Sequence, residues 1–429
     1  MNEAIRLRPY QREAIEAVIR GRRSGTRRMV VALPTGAGKT VIFSELARMA
    51  RRRVLVLAHR QELLEQAKDK IGRAIGDPSS VATEQGDLRA AEGAKVVVAS
   101  IRSLSDERIS RLMADEAFGL IVYDECHHAP AEDNKRVLAS LGALDEDWDG
   151  TLLGFTATTV RGDGAGLNQV FEEIVFSLGV REMVEAGYLV PLRGYRIATA
   201  ADLRGVTARA GDFAPEELAE AVDLETRNAL VARSIQELAR DPRTIAFCVT
   251  VNHARNLARA LNAIGVRTGV VHGAQDMATR RRTLEEFRRG LLSAVTNVGV
   301  LTEGFDDPGV SCIAMARPTR SSGLYAQCVG RGTRLAPRKS DCLVLDFADL
   351  SEVSLVTLPT LAGLPNQLDL EGERLDDAER ALSALWEENP GFEVEPGTIT
   401  LGEIQRRAEA FDPLGMTVGE EVCAISPNR

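Results

Sequence analysis

Aromatic residues are scarce: Phe, Trp and Tyr make up 4% of the 429 residues. Base stacking on an aromatic platform needs such rings in a groove, so it is not the expected mode of any nucleic-acid contact. The six cysteines, at positions 126, 248, 312, 328, 342 and 423, show no C-x-x-C spacing. Neither a zinc finger nor a dithiol redox pair is indicated, which leaves reduced, mostly buried thiols as the reading. Long apolar runs are missing too. Nothing approaches the roughly 18 to 20 apolar residues of a membrane span. Met1-Asn2-Glu3 does not open a secretory leader, so no membrane and a cytoplasmic address are expected.

Excess positive charge is also absent, because the chain carries a net charge of −9. That balance argues against a nucleic-acid partner until its distribution is considered. Residues 351–429 hold 16 acidic and 5 basic side chains, which leaves 48 basic against 46 acidic in the first 350. The acidity belongs to the C-terminal end, where it is a solvated face or a surface that docks a protein partner.

The length allows two or three domains. Short apolar runs alternate with helical patterns, the signature of βαβ units and parallel sheets. In the first half, strands are expected at Met29–Leu33, Val54–Ala58, Val96–Ala99, Leu120–Tyr123 and Leu152–Phe155, with helices at Val41–Ala50 and Gln61–Ala74. The second half repeats the pattern with Thr244–Val249, Thr268–Val271, Ala294–Val298, Cys312–Ala316 and Cys342–Asp346. An α/β chain of two tandem parallel-sheet domains follows, at 1–190 and 216–350. Residues 191–215, weakly periodic and rich in Ala, Gly, Arg and Asp, read as a linker. Residues 351–429 read as a small, mainly helical, acidic accessory region, with helical pieces at Glu371–Glu388 and Leu401–Ala410. Glu420–Ile425 reads as the start of a strand, as if an accessory domain were cut short.

Leu33-Pro34-Thr35-Gly36-Ala37-Gly38-Lys39-Thr40 directly follows the apolar run 29–32. A strand that breaks into a Gly-rich turn and opens a helix aims several N–H groups at one spot, where the helix dipole favours anions. In such a loop Gly36 and Gly38 let the backbone curl, Lys39 supplies charge to the β- and γ-phosphates of a nucleoside triphosphate, and Thr40 ligates Mg²⁺. Asp124-Glu125-Cys126-His127 follows another apolar strand. Phosphoryl transfer to water needs one carboxylate for the metal and one to take the proton, so Asp124 is assigned to Mg²⁺ and Glu125 to the base. Taken alone, acidic residues after a strand are more often a solvated turn or a helix cap; the phosphate loop upstream shifts the balance. Thr156-Ala157-Thr158 adds two hydroxyls where a neighbouring strand ends.

Gln327-Cys328-Val329-Gly330-Arg331-Gly332-Thr333-Arg334 places Arg331 and Arg334 three apart, on what reads as one helix face. An arginine supplied from a separate domain stabilises charge on a transferring phosphoryl group. Thr302-Glu303-Gly304-Phe305-Asp306-Asp307 offers Gly304 for close approach, and Asp306 with its neighbour as carboxylates for a ribose hydroxyl.

In this order the blocks resemble the helicase core of superfamily 2, over about residues 6–347. Arg8-Pro9-Tyr10-Gln11 resembles the adenine-reading Q motif, with Arg8 and Gln11 at the base. Residues 34–40, 58–63, 99–104, 124–127 and 156–158 resemble motifs I, Ia, Ib, II and III. His272-Gly273, 302–306 and 327–334 resemble IVa, V and VI. The loop begins with Leu33 where the usual pattern has Gly, as helicase-like versions allow. DECHH and Arg317-Pro318-Thr319 are closer to the type III restriction-subunit-related and Irc-like helicases than to the DEAD-box RNA group.

The resemblance implies RecA-like domains, ATP and Mg²⁺ as ligands, and a cleft that closes on ATP. It implies that Pro34, Thr35 and Ala37 line the nucleotide loop, and that His127 and Gln327 couple the metal site to the second domain. Arg60, Ser100 and Thr302 would hold the phosphates of a nucleic-acid strand, contacts that fix register without reading sequence. DNA is the preferred partner. An RNA helicase, a non-hydrolysing nucleotide-dependent scaffold and, more remotely, a small-molecule kinase are the competing readings. Only 307–326 separate motifs V and VI, and no basic zinc module follows the core. Duplex translocation or remodelling is therefore as well supported as processive unwinding.

Overall fold

The computed structural model describes residues 7–58, 61–91, 93–114, 116–157, 166–209, 211–239, 243–302, 304–349, 355–389, 392, 394 and 399–410. Among these, seven strands form one parallel sheet: β1 (Arg28–Ala32), β2 (Val54–Ala58), β3 (Val81–Glu84), β4 (Val96–Ser100), β5 (Leu120–Asp124), β6 (Thr151–Thr156) and β7 (Glu173–Ser177), in the order β3-β4-β2-β5-β6-β1-β7. Chain-order neighbours β1 and β2 are separated by β5 and β6, so the chain reverses direction across the sheet. Open sheets of this kind leave a crevice at the carboxyl ends of their strands.

A second parallel sheet follows the same principle. Its strands are β8 (Leu192–Thr199), then, after the two-residue antiparallel pair β9 (Ala208–Arg209) and β10 (Asp212–Phe213), β11 (Arg243–Phe247), β12 (Thr268–His272), β13 (Ala294–Val298), β14 (Val310–Met315) and β15 (Cys342–Asp349). Their order is β12-β13-β11-β14-β15-β8. Helices cover both faces of each sheet. Central strands such as β2 and β4 are buried at every position, which is why they read as uninterrupted apolar runs. Each sheet has an apolar cluster on both faces. The five described cysteines are buried and unbonded.

Besides the four two-residue strands, three strands of the parallel sheets were not expected. β3, β7 and β8 all lie at sheet edges, where partial exposure replaces the apolar run; β7 is half-exposed or exposed throughout. The consequence is largest for β8. It falls inside the stretch 191–215 read as linker, yet pairs with β15 over eight residues, from Leu192↔Cys342 to Thr199↔Asp349. Composition could not separate a half-buried edge strand from a connector.

The C-terminal region is no detached tail. The helices Leu375–Glu388 and Leu401–Glu409 are those expected, and the two-residue strands β16 (Leu368–Asp369) and β17 (Ile399–Thr400) pair in parallel beside them. Leu358, Leu364, Leu382, Ile404 and Ala408 join one core cluster with Val344, Ile313 and Val329 of the second domain. The same region covers the β8 edge: Gly372 N–H donates to the Gly194 carbonyl at 2.8 Å, and Arg196 N–H to Asp369 Oδ1 at 3.1 Å. Covering an edge in this way removes a template for unwanted strand pairing. The expected strand Glu420–Ile425 lies outside the described residues. Among the described residues no helix is long and apolar enough to cross a membrane.

Leu382 is fully buried in that shared core. Leu382→Ala is expected to cost about 2–5 kcal/mol and to lower the melting transition of the second domain by calorimetry; an independent tail would leave that transition in place.

Candidate nucleotide site between the two domains

β1 ends at Ala32 and the chain turns through 33–38 into the helix Lys39–Met49. Gly36 and Gly38 take φ of +88° and +75°, values glycine reaches without steric cost. The space around them is as demanding as their torsions. A Cβ on Gly36 would lie 3.1 Å from Arg334 Cγ, and one on Gly38 would lie 2.8 Å from Gln11 Nε2. A glycine at each position lets a side chain from elsewhere approach the loop, in one case from the other domain.

The acidic residues come from β5, two strands away across β6. Asp124 closes the strand, and its Oδ1 accepts the Glu125 N–H at 3.1 Å. Glu125 itself has φ of +54°, an uncommon conformation for a non-glycine residue and one often found at functional sites. Its Oε1 lies 3.6 Å from Lys39 Nζ and its Oε2 3.4 Å from His127 Nδ1. Burial pushes the Glu125 carboxyl upward, but Lys39, His127 and Arg331 outweigh it and hold the group well below the usual carboxylate range. The carboxylate is therefore ionised, and its basicity stays low while these cations surround it. Lys39 Nζ also donates to the Leu33 carbonyl at 3.4 Å.

At the other end of the loop, Tyr10 OH donates to the Ala37 carbonyl at 2.6 Å. Gln11 Oε1 accepts the Arg8 N–H at 2.9 Å and Gln11 Nε2 reaches Ala37 O at 3.5 Å, so the backbone sets the amide's orientation. The Arg8 guanidinium sits 5.6 Å from the centre of the Tyr188 ring, and the Tyr10 and Tyr188 centroids are 4.6 Å apart. Tyr188, at the end of the first domain, was missed in the sequence; only five tyrosines occur in the chain, but nothing local marked this one.

The second domain completes the site, with one correction. The helix Ser322–Val329 stops before Gly330, so Arg331 and Arg334 lie on the loop beyond it and not on one helix face. Packing explains the break. A Cβ on Gly330 would meet Thr35 Cβ at 2.4 Å, and one on Gly332 would meet Cys342 Sγ at 2.1 Å. Thr333 Oγ1 donates to the Thr35 carbonyl at 3.4 Å, and Val190 N–H donates to the Thr333 carbonyl at 2.8 Å. Arg331 is buried and donates to the Phe305 carbonyl at 2.9 Å. Arg334 Nε pairs with Asp306 Oδ1 at 3.2 Å, which directs Asp306 to the arginine. Asp307, the other carboxylate offered to ribose, is taken by Arg243 at 3.0 Å.

Gln327 is buried within its helix, and Thr302 is buried with its hydroxyl on the Gly299 carbonyl at 2.9 Å. Ser100 ends β4 and is buried, Gly304 has φ of +73°, and Thr40 is half-buried in the first turn of its helix. Among the described residues, no hydrogen bond joins Thr302 or Ser100 to the nucleotide loop. Arg60, Thr158 and Glu303 lie outside the described residues.

Thr35 Oγ1, Glu125 Oε2 and Arg334 Nη1 are buried without a hydrogen bond. Buried polar groups are normally satisfied. A triphosphate with its divalent ion fits this set: donors from both domains, acceptors for a metal and a proton, and a loop of two glycines that no Cβ obstructs.

Two parallel-sheet domains sharing a phosphate loop on one side and arginines on the other define a helicase-type P-loop protein. Residues 4–161 match the family model "Type III restriction enzyme, res subunit", and 226–336 match "Helicase conserved C-terminal domain". The two matches together are consistent with a superfamily 2 helicase of the type III restriction-related group. The Irc3 helicase of Saccharomyces cerevisiae is 32% identical over 388 residues, covering 87% of this chain and 55% of that protein. Its counterpart in Schizosaccharomyces pombe is 34% identical over 376 residues, covering 85% and 61%. The chain thus spans between half and two thirds of these relatives. Among solved structures, a fragment of an HsdR subunit of a type I restriction enzyme from Vibrio vulnificus shares the fold with a TM-score of 0.63, at 23% identity, covering 81% of this chain and 65% of that one. The family implies ATP with a divalent metal.

Glu125→Gln removes the acceptor and keeps the shape. It is expected to lower ATP turnover by roughly 10²- to 10⁴-fold while binding of a fluorescent ATP analogue persists; unchanged turnover would remove Glu125 from the role of base.

Proposed function

We propose that the chain is an ATP-driven translocase or helicase that acts on DNA. The observation that carries the reading is the approach of Arg334 to Gly36: an arginine of one domain lies against the phosphate loop of the other, and Arg331 from the same segment is near enough to Glu125 to help hold its carboxyl ionised. Arginines delivered from a second domain make hydrolysis depend on how the two domains sit. A chain that merely switched on nucleotide binding would not require a base held ionised beside them.

In this reading Lys39 turns from Glu125 to the β- and γ-phosphates, and Glu125, freed of one cation, gains basicity as it receives the proton of the attacking water. Thr40 and Asp124 hold Mg²⁺, which neutralises charge on the phosphates. Arg8 and Gln11 hold the adenine with Tyr10 and Tyr188 beside it. Arg331 and Arg334 stabilise the transferring phosphoryl, with His127 and Gln327 relaying between metal site and second domain. Release of the phosphate loosens the interdomain contacts at Thr35 and Gly36, and the domains part. Arg60, Ser100 and Thr302 alternately hold successive phosphates of one strand, so that each cycle advances the protein.

Relatives described as a DNA 3'-5' helicase, at 26% identity, and a DNA 3'-5' translocase, at 27%, favour DNA over RNA. ATPase rates at fixed salt with single-stranded DNA, duplex, forked DNA and RNA test the choice, since phosphate-driven binding depends steeply on ionic strength. Stimulation by DNA is expected; stimulation by RNA alone overturns the preference. Arg334→Ala is expected to reduce kcat by roughly 10³-fold or more in the same assay with the fold intact by circular dichroism. A variant with wild-type kcat would remove Arg334 from the reaction.

A further inference from the structure

The loop that carries Arg331 and Arg334 has no helix to stiffen it and two glycines within it. It is closed at its far end by a strained turn. Arg338 has φ of +63°, a left-handed conformation unfavourable for a side chain of this kind. The Lys339 N–H returns to the Ala336 carbonyl at 3.2 Å. This turn sends the Lys339 side chain inward, where its ammonium donates to the Arg334 carbonyl at 2.8 Å and to the Pro308 carbonyl at 3.1 Å.

Those two carbonyls belong to the two loops that meet at the Asp306–Arg334 ion pair. The loops are therefore joined twice: by side chains at the face toward Gly36, and by one half-buried ammonium behind it. Burial lowers the Lys339 pKa to about 8, with Cys342 and Asp307 opposing and Arg334 and Arg243 reinforcing, so the group is still a cation at neutral pH. Hydrogen bonds from a cation are stronger than neutral ones. The ammonium reaches the nucleotide cluster through the Arg334 backbone.

We propose that Lys339 is a positioning residue for ATP hydrolysis, which ties the Arg334 backbone to the Asp306-Asp307-Pro308 loop and thereby fixes where the Arg334 guanidinium stands over the phosphate loop. The proposal rests on the hydrolytic reading above. Lys339 touches no reacting atom. Its effect is geometric, and a misplacement of about 1 Å in a reacting group can cost on the order of 10²-fold in rate.

The test is a double-mutant cycle on the full chain, read as steady-state ATPase with saturating DNA. Lys339→Met is expected to lower kcat roughly 10- to 100-fold, with KM for ATP changed by less than about threefold, because the lost interaction belongs to the transition state. Lys339→Arg, which keeps a cation with several donors, recovers a large part of the rate. In an Arg334→Ala background, Lys339→Met lowers kcat by less than about twofold, since residues acting through one another are not additive. Independent, multiplying effects overturn the proposal, as does a Lys339→Met variant with wild-type kcat. If Lys339→Met fails to fold by circular dichroism, Lys339→Gln carries the same cycle, and the same two results decide it. A wild-type chain without ATPase on any nucleic acid overturns the hydrolytic reading itself, whereas an active wild type beside an unimpaired variant overturns only the role of Lys339.

Discussion

The structure depends on one close contact, in which the loop Gly330–Arg334 of the second domain lies against Thr35 and Gly36 of the first. Side chains at positions 36 and 330 would hold the backbones apart, so glycine there sets the distance between domains. The gap left is lined on one side by Arg334 and on the other by Lys39 after the phosphate loop and Glu125 after β5. Each domain alone carries half a site. Neither half is satisfied: buried polar atoms of Thr35 and Glu125 on one side and Arg334 on the other lack hydrogen bonds, a cost that a shared anionic ligand would remove.

Electrostatics prepare the site in the same direction. Glu125 is buried, which by itself would neutralise it, yet it stands beside Lys39, His127 and Arg331 and remains charged. Its strained backbone holds it there. Cations that keep the carboxylate ionised are also the groups that would pair with phosphate oxygens. A bound triphosphate would therefore redistribute these pairings and would not need to create new charges in a buried place, where the desolvation penalty is high.

The C-terminal region serves the second sheet more than it forms a unit of its own. Its apolar side chains complete one face of that sheet, and its backbone covers the β8 edge. Asp346, within β15, accepts the Tyr325 hydroxyl at 2.7 Å and the Leu358 N–H at 2.7 Å. Through Tyr325 the region is tied to the helix that leads into Gly330. Among the described residues, the helices Leu375–Glu388 and Leu401–Glu409 carry acidic side chains on elements whose inner faces are core, so charge and burial are divided between two sides of the same helices.

Central strands were legible in the sequence because burial on both faces demands unbroken apolar runs: β2 and β13 have the bounds expected of them, and the other expected strands differ by a few residues at their ends. The phosphate loop and the Asp124-Glu125 pair were legible because their chemistry depends on residue types at short spacing. Edge strands β3, β7 and β8 were not, since half-exposed strands follow no apolar run, and the helical reading of Arg331 and Arg334 failed because contacts from Thr35 and Cys342 decide where that helix ends. The sequence by itself determined two wound sheets and the inventory of a phosphate site, which are local matters of burial pattern and short-range spacing. Only the tertiary structure decided that Arg334 meets Gly36, that Tyr188 lies on Tyr10 and that Lys339 reaches back to Arg334. Those pairs are far apart in the chain or hidden in a turn, and packing between elements, not any local propensity, brings them together.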